Sequence, residues 1–224
     1  MGRAKLPRKS TNIDMTAMCD VAFLLLSFFI LATKFKPPEA LSVVTPSSVS
    51  TKVAPEKDVV MVIIDKDGKV YLSVSESNQA EKKEMIETIN TAHNLGLTDQ
   101  EKNNFIRVSN AYIGAPFSQL KSYLDKTPED LQKVVKPGIP AVDSTNNEMI
   151  EWFKAAQTAF EGKKMNILVK GDDASKYPSF QGVIIALKRN DLMKFQVVTA
   201  SIPVPQGTEL YKQQEKQGTK EVPQ

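Results

Sequence analysis

Between Met15 and Thr33 the chain reads MTAMCDVAFLLLSFFILAT, nineteen residues carrying one charge. As a helix rising 1.5 Å per residue this stretch is roughly 28 Å long, close to a bilayer core of about 30 Å, so the pattern predicts a membrane-spanning helix. A cleaved signal peptide fits poorly. Leu31-Ala32-Thr33 is a weak small-x-small cleavage site, and Asp14 and Asp20 place acids where such a peptide carries only bases and apolar residues. A buried helix of a soluble domain fits less well still, because the run is apolar on every face.

The pattern then changes. Pro37 to Lys57 is rich in Pro, Ser, Thr and Val without helical period, and reads as an extended tether. Val59 to Ile64 is a continuous apolar run suited to a buried strand, and Asp65-Lys66-Asp67-Gly68 turns it into Lys69–Val74, a β-hairpin. Gln79 to Asn94 carries Met85, Ile86, Ile89 and Ala92 at helical spacing. Met165 to Val169 reads as a strand, Tyr177 to Lys188 as a helix with Phe180, Val183, Ile184 and Leu187 inward, and Lys194 to Ile202 as a strand. That order predicts an α+β domain with helices packed on one face of a small β-sheet.

Within it, residues 97–163 form a helical insertion, with helical stretches around Asp99–Tyr112, Pro116–Leu124, Pro128–Val135 and Asn146–Phe160, broken by Pro137-Gly138-Ile139-Pro140. Trp152, Phe153, Ala156 and Phe160 make one helical stripe, read as core. The expected organisation is a tail over 1–14, a transmembrane helix over 15–33, an extended linker over 34–57, the α+β domain over 58–202 and a polar, flexible tail over 203–224.

Charge gives the span a direction. The net charge is only +3, but residues 1–36 hold six bases (Arg3, Lys5, Arg8, Lys9, Lys34, Lys36) against Asp14 and Asp20, leaving 23 bases and 24 acids for the rest. A folded domain without basic excess argues against nucleic-acid binding. Four of the bases precede the span and two follow it, so the N-terminus is expected in the cytoplasm and the domain outside it.

Conventional active sites are missing. One cysteine, Cys19, excludes an intramolecular disulfide framework, and with one histidine, His93, no Cys/His zinc cluster can form. His93 near a helix end reads as a capping or surface residue. Asp65, Asp67 and Glu76 match calcium-loop positions 1, 3 and 12, but Lys69 and Val70 occupy positions that need a ligand and a glycine. Asp172-Asp173 precede a helix and are read as compensating its dipole and capping its free amides. With no glycine-rich phosphate loop either, the chain is expected to be neither an enzyme nor a holder of a metal or cofactor.

Asp20 is the residue that asks for a mechanism. A carboxylate in a spanning helix costs about 2.5–3.5 kcal/mol on insertion scales, so a mere anchor would do better with an apolar residue there. At 100° per residue Thr16, Asp20, Phe23 and Ser27 fall within about 60°, a stripe in which Thr16 and Ser27 support Asp20 and which calls for a protein neighbour. Alternation between wet and dry surroundings lets such a carboxyl load and release a proton.

The stretch Asn12-Ile13-Asp14-Met15-Thr16-Ala17-Met18-Cys19-Asp20-Val21-Ala22-Phe23-Leu24-Leu25-Leu26 resembles the N-terminal signature of the ExbD/TolR family: basic tail, Thr-Pro-x-x-Asp-type turn, one apolar helix, periplasmic domain. Ala17 stands where the family usually has proline, and Cys19 where it has an aliphatic residue. Leu41-Ser42-Val43-Val44-Thr45-Pro46 is similar to the family's short extended stretch after the helix, which makes Leu41, Val43 and Pro46 candidate linker interaction residues.

The resemblance implies a single-pass subunit of a proton-motive-force-driven inner-membrane motor, with Asp20 carrying the proton. It implies a homodimer inside a multi-pass ExbB/TolQ-like proton-channel partner, a TonB-like transducer serving outer-membrane transport, and contact with membrane lipid. A TolR-like motor for envelope integrity is the near alternative. A passively anchored periplasmic binding protein is the distant one.

Overall fold

The computed structural model describes residues 15–32, 41, 43–49, 54–55, 57–107, 112–126, 130, 136–142, 145–205, 207–209 and 211. Two compact units divide the chain, Met1–Pro38 and Glu39–Gln224. In the first, helix α1 covers Met15–Ala32.

The second unit is an α+β domain. Its elements are β1 (Ser47–Ser48), β2 (Val59–Ile64), β3 (Val70–Val74), α2 (Gln79–His93), α3 (Asp99–Arg107), α4 (Phe117–Leu124), α5 (Met149–Ala159), β4 (Asn166–Gly171), α6 (Tyr177–Arg189), β5 (Phe195–Val197) and β6 (Ala200–Ser201). Four strands form a mixed sheet in the order β3-β2-β4-β5, with β2 antiparallel to β3 and parallel to β4. The β2–β3 hairpin closes through Gly68, at φ 81, whose N–H donates to the Asp65 carbonyl at 3.0 Å.

Alternation along the strands sorts the two faces. Val60, Val62 and Ile64 join Val70, Leu72 and Val74 in the main core, against Met85, Ile86 and Ile89 of α2, Trp152 and Phe153 of α5, and Val183 and Leu187 of α6. Ile63 and Tyr71 point the other way into a separate small cluster with Tyr112, on which Leu41, Val43 and Met61 pack.

The insertion is part of the domain's core. The Trp152 ring stacks on Phe105 at 5.9 Å and sits 5.7 Å from Phe117. Two of its short stretches also cover the β3 edge: Ile113 exchanges backbone hydrogen bonds with Leu72, and the Ile139 N–H donates to the Val70 carbonyl at 2.8 Å.

Two expectations need correcting. The helix expected over Asp99–Tyr112 is seen over Asp99–Arg107 and does not include Tyr112, because by Ile113 the chain runs beside β3 instead. The strand expected over Lys194–Ile202 is two strands in two sheets. Val198 makes the last bond to β4, through the Val169 carbonyl, and Ala200 turns to pair with the linker. The segment expected as an extended tether contains β1. The helix expected over Pro128–Val135 falls, apart from Asp130, outside the described residues, as do 1–14, 33–40 and 212–224.

Candidate functional site: the Asp20 helix and the docked linker

Helix α1 is apolar but for Thr16, Asp20 and Ser27, and its described side chains are exposed, Leu31 at 85% and Phe23 at 67%, with Ser27 half-buried. Asp20 is its single charged residue and is exposed. Thr16 lies one turn before Asp20 and Ser27 two turns after it, on the same stripe. Ser27 Oγ donates to the Leu24 carbonyl at 2.9 Å, so this hydroxyl is satisfied within its own helix. Asp20 is the one acidic side chain of the stripe.

The expected span is not confirmed. Among the described residues no helix is long and apolar enough to cross a membrane. The 18 residues of α1 rise about 27 Å against a core of about 30 Å, and Thr33, the last residue of the expected span, lies outside the described residues.

Leu41, Val43 and Pro46 belong to the second unit, and Thr16, Asp20 and Ser27 to the first. All three are half-buried. The Val44 N–H donates to Asp172 Oδ2 at 3.0 Å, and the Asp173 N–H returns a bond to the Val44 carbonyl at 2.8 Å. Further along, the Pro46 carbonyl accepts from the Ala200 N–H at 2.9 Å and the Ser48 carbonyl from the Ile202 N–H at 3.0 Å.

Asp172 thus does something other than cap a helix. Its Oδ1 accepts the Ala174 N–H at 2.9 Å, which orients the carboxylate, and its Oδ2 reaches a residue 128 positions earlier. Helix α6 has Lys176 as its N-cap, with no side-chain cap bond. No local pattern in the sequence signals this clasp, because its two halves are far apart along the chain.

Several other candidate groups are engaged within the fold. Asp65 accepts the Lys69 N–H at 2.8 Å and the Tyr71 hydroxyl at 2.9 Å, and burial, followed by that bond, raises the Tyr71 pKa. The exposed His93 ring stacks on Phe117 at 4.1 Å. Lys136, 5% exposed, holds its ammonium 6.0 Å from the centre of the Tyr112 ring, and burial lowers its pKa. Among the described residues no group of three or more His, Cys, Asp or Glu is placed to hold a metal ion.

No curated protein and no solved structure matches the chain. The family model described as "Biopolymer transport protein ExbD/TolR" matches residues 7–201, from the basic tail through α1 and the linker to β6. By that match the chain belongs to the ExbD/TolR family, subunits of the machinery that energises biopolymer transport.

Proposed function

We propose that the chain is the ExbD-like subunit of a proton-driven inner-membrane motor, in which Asp20 takes up a proton on one side of a channel and releases it on the other. One observation carries the reading: a lone carboxylate in an otherwise uncharged, outward-facing apolar helix, within a chain of this family. With Thr33 the apolar sequence reaches nineteen residues, inside the range of about 17–25 that crossing helices use. The bases before it orient the N-terminus to the cytoplasm and the domain to the periplasm.

Partners follow from the physics of the carboxylate. One helix cannot enclose a proton path, so a partner has to supply the walls that alternately wet and dry Asp20; membership of the family is what suggests a multi-pass ExbB/TolQ-like subunit around a dimer of this chain. Loss and gain of its charge changes which wall the helix prefers, and that motion passes through the linker to the periplasmic domain and on to a TonB-like transducer. No step of this cycle makes or breaks a covalent bond other than to the proton.

The test is energy-dependent uptake in cells carrying Asp20→Asn, which keeps the side chain's size and removes the titratable proton. Uptake is expected to fall to the level of de-energised cells while membrane levels and partner co-purification stay normal. Wild-type uptake with an intact envelope would instead leave α1 as a passive anchor. Normal uptake accompanied by loss of envelope integrity would mark the TolR-like branch.

A further inference from the structure

The linker is held to the domain in an unusual way. Strand β1 is two residues long and, among the described residues, pairs with the equally short β6 in a sheet separate from the four-stranded one. A two-stranded sheet is marginal without other support. Among the described residues of 41–49 none is fully buried: Leu41 and Val43 lie half-buried on the Ile63, Tyr71 and Tyr112 cluster that stands apart from the main core, and Thr45, Pro46, Ser48 and Val49 are half-buried too. The amides of Val44, Asp173, Ala200 and Ile202 add four hydrogen bonds to the attachment.

Close by along each partner segment the situation reverses. The Asp172 N–H donates to the Ile64 carbonyl and the Val198 N–H to the Val169 carbonyl, both within the main sheet, where Val60, Val62 and Val169 are fully buried. Few buried apolar contacts and a handful of peripheral hydrogen bonds are the physical marks of a segment that opens alone.

We infer that the segment 41–49 is a strap that detaches as a unit from an otherwise intact domain, with the Asp172 carboxylate as its clasp. The clasp is preset by the Ala174 N–H on its other oxygen, so re-docking needs only the Val44 amide to arrive.

Amide hydrogen exchange on the full-length chain in detergent micelles tests this without reference to transport. The amides of Val44, Asp173, Ala200 and Ile202 are expected to exchange at one common rate, at least about 100-fold faster than those of β2 and β4. Asp172→Ala removes a charge-assisted bond and should raise that common rate about tenfold while leaving the Val198 amide unchanged. Val43→Asp, which sets a charge over Ile63 and Tyr71, should act the same way. Exchange of the four amides at the slow rate of β2 and β4, or at four unrelated rates, overturns the strap. The wild-type rates alone distinguish these outcomes, even if a variant fails to fold.

Discussion

Two glutamates show how the same side chain acquires opposite pH behaviour from its surroundings. Glu148 accepts the Phe117 N–H at 2.8 Å, but burial outweighs that bond and the nearby His93, and its pKa is raised above 4.5. The folded state then holds this proton more tightly than the unfolded one, so ionised Glu148 is a cost at neutral pH that disappears as pH falls through the raised value. Glu148→Gln should therefore raise Tm at pH 7, with the gain fading by pH 4.5. Glu81, buried under the Lys163 ammonium, has its pKa lowered first by that hydrogen bond. Its stabilisation is present above 4.5 and is lost as pH falls through the lowered folded value. Lys163→Met should lower Tm at pH 7 and make little difference in strong acid, as read by thermal melts across pH. Neither glutamate stands out in the sequence, where both look like ordinary charges on polar helix faces.

At the scale of elements, the helices and strands whose apolar spacing is regular were legible in the sequence. The run Val59–Ile64 is a strand over those same residues, and the Met85, Ile86 and Ile89 spacing does face the core. The stripe of Trp152, Phe153, Ala156 and Phe160 is likewise inside, with Trp152 fully buried. Trp152→Ala should cost about 3–5 kcal/mol in urea unfolding, because α3 and α4 stack on that ring and cannot collapse into the gap. Gly182 of α6 is a second fixed point: a Cβ there would lie 1.8 Å from the Ala141 carbonyl oxygen. Gly182→Ala should therefore cost at least about 1–3 kcal/mol in the same experiment, since a backbone must move to admit one methyl group. What spacing does not reveal is a strand too short to show a period. β1 and β6, two residues each, were read as tether and as the end of a longer strand.

For the molecule as a whole, the main core lies entirely after residue 39, and β2, α2, α5 and α6 share it with α3 and α4 of the insertion. A fragment over 39–224 should therefore melt in one calorimetric transition, at the Tm the domain shows in the full-length chain. Two transitions would mean that the insertion folds as a domain of its own. By itself the sequence determined the properties that rest on composition and local period: an apolar helix with one carboxylate, Asp20, a basic tail before it, and an α+β domain after it. Those follow from burial and backbone geometry within a few residues of each position. Tertiary structure alone decided how the insertion covers the β3 edge, how Asp172 meets Val44 and how Glu148 meets Phe117, because each joins positions from 31 to 128 residues apart. Such contacts depend on where whole elements pack, which no neighbouring residues encode.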